Sequence, residues 1–238
     1  MLSLRKLAVF LGVVLSSKIF AADPYVVVGS AYELKSSKLV YRELISKLDE
    51  NNNIQVNYAR PSGVTFARKT LNFNTEIFQP SMSLTDDRDD EFVSANFDAG
   101  KLMLTHRLKG DSRTKTLYDT AKLVIDAGLD AFIQQNWNRL TAGKKIDVEI
   151  ADARFVGTEK YVLKEIDASE SPLAYKGADK ALKFFKMEVA NRLASLMTEP
   201  TYFAYLPDGM FMLRYQGTAN IDNDKGEPWL VRIEYQYF

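Results

Sequence analysis

Apolar and polar residues alternate with a period of two along much of this chain, the signature of β-strands with one buried face. Ile54, Val56 and Tyr58 alternate with Gln55 and Asn57. Ile146, Val148 and Ile150 alternate with Asp147 and Glu149, and Phe185, Met187 and Val189 with Lys186 and Glu188. Near the C-terminus Trp229, Val231, Ile233, Tyr235 and Tyr237 share one face, and Arg232, Glu234 and Gln236 the other. Further strands are expected over Tyr25–Leu34, Leu39–Leu48, Val64–Phe73, Glu91–Phe97, Leu102–Leu108, Arg113–Thr120, Tyr161–Ile166, Tyr202–Leu206 and Met210–Ala219.

The connections are short and rich in turn formers: Asp49-Glu50-Asn51-Asn52-Asn53, Asp98-Ala99-Gly100, Pro207-Asp208-Gly209 and Asp222-Asn223-Asp224-Lys225-Gly226. Such residues tolerate positive φ or form Asx turns. They favour an antiparallel meander, because parallel crossovers need about a dozen residues or more. Asp167–Lys180 reads as a polar loop containing Pro172 and Gly177.

One segment changes period. Leu129, Phe132, Ile133, Trp137 and Leu140 fall at helical spacing, with Asp130, Gln134, Gln135 and Asn138 opposite them. This predicts one amphipathic helix over 126–142, with Asp126 as its N-cap and Gly143 as its stop. At Val189–Met197 a helical reading competes with the strand. A sheet with one apolar face must cover it. The expected fold is therefore mainly β: a curved antiparallel sheet or open β-barrel with one amphipathic helix packed in the concavity.

The first residues carry a different pattern. Arg5 and Lys6 precede the apolar run Leu7–Leu15, and Ala21 offers a small residue for cleavage. That is the layout of a signal peptide, too short to span a bilayer. Residues 1–21 are read as a leader and 22–238 as a single antiparallel β-rich domain, exported to the periplasm. Removing Arg5, Lys6 and Lys18 leaves the remainder three charges more negative than the formally neutral whole. Nucleic acid needs concentrated positive charge and is excluded as a partner.

The chain has no cysteine and one histidine, His106. Disulfides, thiolate catalysis and cysteine-bound metals are thereby excluded. No G-x-S-x-G elbow accompanies His106, and no glycine-rich phosphate loop is present. The run Asp86-Asp87-Arg88-Asp89-Asp90-Glu91 reads as a solvated turn rather than a calcium site. Asn220-x-Asp222-x-Asp224 has Lys225 where a calcium loop needs glycine, and reads as a hairpin. No catalytic residue, metal ligand set or cofactor is expected, and the chain is not read as an enzyme.

The remaining signal is aromatic and methionine excess, since Tyr202, Phe203, Tyr205, Met210, Phe211, Met212 and Tyr215 fall in one hairpin. Such side chains suit acyl chains. Phe132, Ile133, Trp137, Met210, Met212 and Tyr215 are the expected lining of a site for an apolar or lipid-like ligand. Two alternatives stand beside this. One is a packed structural protein that contacts envelope proteins. The other is a small outer-membrane barrel, against which Arg232, Glu234 and Gln236 share the phase of Phe238.

Residues Trp137-Asn138-Arg139-Leu140, then Ala142-Gly143-Lys144-Lys145 and an alternating strand, precede the hairpin Tyr205-Leu206-Pro207-Asp208-Gly209 and Leu213-Arg214-Tyr215. This order resembles an uncharacterised bacterial periplasmic family, a domain of unknown function. It is similar more loosely to lipoprotein-carrier half-barrels, in which a curved sheet wraps a helix. The resemblance covers residues 120 to 238 and implies fold and compartment only.

Overall fold

The computed structural model describes residues 25–98, 100–118, 120–175, 181–191, 195 and 197–238. The leader expected at 1–21 lies outside the described residues. Among those described, no helix is long and apolar enough to cross a membrane.

The described residues form one 15-stranded sheet. Its first half is a meander: β1 (Tyr25–Glu33), β2 (Leu39–Ser46), β3 (Asn53–Ala59), β4 (Thr65–Glu76), β5 (Gln79–Asp86), β6 (Glu91–Asp98), β7 (Lys101–Leu108) and β8 (Asp111–Leu117). The short strand β9 (Leu123–Ile125) follows, then helices α1 (Gly128–Gln135) and α2 (Trp137–Thr141). A second meander comprises β10 (Ile146–Asp152), β11 (Gly157–Ile166), β12 (Lys183–Val189), β13 (Thr201–Tyr205), β14 (Met212–Asp222) and β15 (Pro228–Tyr237). The last strand returns beside the first, so β1 pairs antiparallel with β15 and the two meanders become one sheet with β8 and β9 as its terminal strands.

The sheet is rolled, and one end is tucked beneath the other. Leu123 and Ile125 of β9, with Ala151 and Ala153, join the buried cluster that holds Leu84, Val93, Leu102 and Leu104 of β5–β7. Val124 points the opposite way, into a second cluster with Ile133, Leu140, Leu163, Phe185 and Phe203. A three-residue strand thus serves two cores, and all three of its side chains are buried. The seam is made by the Ile125 amide, which donates to the Phe78 carbonyl at 2.9 Å, and by Gln79 Nε2, which donates to the Leu123 carbonyl at 3.0 Å. One backbone bond is not a ladder, so the sheet is curved but not closed.

Three expectations are corrected here. The helix is two helices, because Asn136 leaves helical geometry between them and its side-chain Nδ2 bonds back to the Phe132 carbonyl. Asp126 does not cap α1; it adopts a positive φ of 44° and turns its carboxylate onto Lys69. The sheet is not wholly antiparallel, since β9 and β10 pair in parallel across the helical crossover. Gly143, with φ of 77°, does end the helical segment as its spacing predicts. Both helices lie on the concave side, where Ile133 and Leu140 are fully buried among residues of β9–β13. The Val189–Met197 reading falls partly outside the described residues; Lys183–Val189 is strand.

β5 was absent from the expected strands. Gln79-Pro80-Ser81 opens it with poor strand formers, although Met82 and Leu84 keep period two and are buried.

Candidate functional site

Alternate strands run in opposite directions, so the turns gather at two ends that differ in chemistry. At one end lie the β13–β14 turn, the end of β15 and the helices. At the other lie the turns β3–β4, β5–β6, β7–β8, β10–β11 and β14–β15.

At the first end the β13–β14 turn and the close of β15 form an apolar patch. The turn Pro207-Asp208-Gly209 is closed by the Leu206 amide on the Phe211 carbonyl at 3.0 Å and the Met210 amide on Asp208 Oδ1 at 3.0 Å. Gly209 adopts φ of 78° directly over the indole of Trp137, where an added Cβ would stand 2.6 Å from a ring carbon. Glycine is thus required twice, for its backbone and for its closeness to Trp137. This contact aims Met210 and Phe211 outward. Met210 is 64% exposed, and Phe211 stacks edge-on against Tyr237 with ring centroids 4.7 Å apart. Phe238 beside them is 74% exposed.

Of the six expected lining residues, five meet and one does not. Ile133 is buried, and Phe132, Trp137, Met212 and Tyr215 pack partly buried against the same cluster. Trp137, Phe185 and Tyr205 touch one another edge to face, with centroids 5.2 to 5.9 Å apart, so these rings fill one another's space. Met210 alone points its side chain to solvent, while its carbonyl accepts from Gln134 Nε2 at 3.4 Å. Beneath it the Tyr205 hydroxyl donates to Asp130 at 2.6 Å. Burial raises the Asp130 carboxyl, and the Tyr205 bond opposes that shift.

The interior also holds charge, which sequence reasoning missed. Tyr235, Gly29, Glu43, Tyr58 and Ala67 stand opposite one another across β15, β1, β2, β3 and β4. A Cβ on Gly29 would fall 2.8 Å from the Tyr235 ring. The bare glycine lets that ring lean across, and the Tyr235 hydroxyl donates to Glu43 Oε2 at 3.2 Å. Two residues further along β4, on the same face, Lys69 Nζ meets Asp126 at 2.8 Å. Burial lifts the Glu43 carboxyl above its ordinary range, while Lys69 pulls it down. A signal was available: Glu43 stands in phase with Tyr41 and Ile45, and Lys69 with Ala67 and Leu71, all positions of the apolar set.

The second end is a lattice of ion pairs. Arg60 grips Asp224 through both Nη atoms at 3.0 and 2.9 Å, and Arg88 binds Asp224, Asp86 and the Asp222 carbonyl. Arg154 joins Glu91 to Asp222. His106 Nε2 lies 2.9 Å from Glu91, and Arg113 donates to Nδ1 at 2.7 Å. Because arginine can only donate, Nδ1 accepts and Nε2 carries the proton toward Glu91. The run 86–91 is a turn as expected, but its ends are not solvated: Asp86 and Glu91 are buried. Carboxylate oxygens of Asp86, Asp89 and Glu91 come within 4.8 Å, yet Arg88 already neutralises Asp86 and Arg154 neutralises Glu91.

No protein-family model matches this chain, and no curated protein matches it. Among solved structures it is similar to a β-barrel-like protein of a domain of unknown function, DUF1849, from Brucella abortus. The two share 10% identity with a TM-score of 0.45, covering 91% of this chain and 100% of the other.

Proposed function

We propose that the protein is exported to the bacterial periplasm and binds an apolar, lipid-like molecule at the apolar patch formed by the β13–β14 turn and the close of β15. The observation that carries this reading is the outward presentation of Met210 and Phe211, beside exposed Tyr237 and Phe238, on a turn seated rigidly over Trp137. Scattered exposed apolar residues need no explanation, whereas adjoining ones mark contact surfaces. Methionine adapts its shape to a flexible chain and flat rings pack along it. The rings beneath are in mutual contact, so the ligand lies against the end of the molecule and is not engulfed. No catalysis is proposed.

The leader pattern at 1–21 supports export, and osmotic-shock release of the protein tests it. Binding is tested by titrating a dansyl-labelled fatty acid into wild type and into a Met210→Asp/Phe211→Asp variant. Both side chains project from a turn, so the variant retains its fold, checked by circular dichroism. Saturable binding by wild type and its loss in the variant are expected. Equal binding by the two, or none by wild type, overturns the reading.

A further inference from the structure

The two terminal strands of the sheet are treated differently. The outer edge of β9 is engaged by Phe78 and Gln79, as described above. Strand β8 pairs with β7 on one side, and among the described residues no backbone group pairs with its other side. An open edge offers a row of unpaired N–H and C=O groups, and proteins ordinarily blunt it with proline, bulges, brevity or charged side chains. Of these β8 has only the last. It runs seven residues without proline, and its pairing with β7 keeps register throughout.

Its own charges are Arg113 and Lys115 against Asp111, and the β7–β8 hairpin around them is predominantly basic. Residues 101–117 contain Lys101, Arg107, Lys109, Arg113 and Lys115 against the single acid Asp111, in a chain of zero formal net charge. Asp111, Arg113 and Lys115 share one face of β8, and Ser112, Thr114 and Thr116 share the other. A shallow depression lined by His106, Leu108, Asp111, Ser112 and Arg113 lies alongside. Phe155, 77% exposed, follows Arg154, whose carbonyl accepts from Arg113 at 3.1 Å.

We propose that β8 is a docking edge for an acidic, extended polypeptide segment, which joins the sheet as one further strand. Backbone pairing supplies the contact, and alternate acidic side chains facing Arg113 and Lys115 supply the selection. A second copy of this chain is disfavoured as the occupant in the register that pairs the two strands most fully. Antiparallel pairing of two β8 strands centred on Thr114 sets Arg113 of each against Lys115 of the other, like charges directly opposed. This edge is separate from the apolar patch, so the proposal stands independently of lipid binding.

The test uses a short fluorescein-labelled peptide alternating Glu and Val, titrated into the purified protein at low salt. Three probes accompany it: the Lys/Val counterpart, the Glu/Val peptide N-methylated at alternate residues, and the Lys115→Glu variant. Binding of the Glu/Val peptide, its loss on N-methylation and weakening by about fivefold in Lys115→Glu are expected. Equal binding of the Lys/Val peptide, or indifference to Lys115→Glu, overturns the charge selection. Binding that survives N-methylation reduces the contact to charge alone and overturns strand addition. No binding at low salt overturns the proposal outright, and so does a native mass showing self-association through β8.

Discussion

Lys69 on β4 and Asp126 after β9 lie 57 residues apart and meet inside the roll at 2.8 Å, with side chains only 6% and 11% exposed. The contact crosses from the first meander to the tucked strand, which makes it an ionic latch on the seam. Asp126 reaches it by taking a positive φ and also accepts from the Ala127 amide at 2.7 Å. Burial disfavours the Lys69 charge, but Asp126, Tyr58 and Glu43 outweigh it and hold the ammonium protonated. Removing one partner leaves the other buried and uncompensated, at a cost of about 3–5 kcal/mol. Lys69→Met is therefore expected to lose that much in urea unfolding. Adding Asp126→Asn to it should recover a substantial part, because the remaining charge is then gone and asparagine tolerates the backbone.

Gly128 sets the second constraint on the seam. A Cβ there would fall 2.1 Å from the Phe78 carbonyl oxygen, a backbone atom that cannot rotate aside. That same oxygen accepts the Ile125 amide. Gly128→Ala is expected to cost about 2–3 kcal/mol by overpacking. It should also speed hydrogen exchange at the Ile125 amide, since the carbonyl must move. Gly143→Ala is the control: nothing lies within 4 Å of its Cβ, and only the left-handed backbone is penalised, by about 1 kcal/mol. Equal exchange at Ile125 in both variants would remove the seam from this account.

Much of this architecture was legible because period two survives wherever one face of a strand is buried. Trp229, Val231 and Ile233 pack inward, and Arg232 and Glu234 pair outward at 3.3 Å. What escaped were features without a local pattern. β9 is three residues long, too short to show a period, and exists because the roll supplies a core on each of its faces. The helix break falls at Asn136, whose side chain and amide both donate to the Phe132 carbonyl, a local bond that the apolar spacing does not announce. In the expected site, periodicity grouped Phe132, Ile133 and Trp137 correctly on one side. It could not reveal that Gly209, seated on Trp137, turns Met210 outward while Met212 packs inside.

The buried and rim carboxylates give the protein two opposite responses to acid. Burial raises Glu43 above its ordinary 4.5, so the folded state holds a proton that the unfolded chain releases in the window just above that value. Stability from this group is complete below the ordinary pKa and falls as pH rises through the folded one. Glu43→Gln should accordingly flatten stability over that window and leave the protein more stable than wild type at neutral pH. Asp224 is the reverse case. Its bonds to Arg60 and Arg88 hold it down to about 2, from an ordinary 3.8. Its contribution is present above 3.8 and disappears as pH falls toward 2. Asp224→Asn should remove that acid limb. Asp224 is largely exposed and its effect should shrink in high salt, whereas the Glu43 effect, shielded inside the roll, should persist. Urea unfolding across the acid range at two salt concentrations separates them, and the same slope in both variants would refute the assignment.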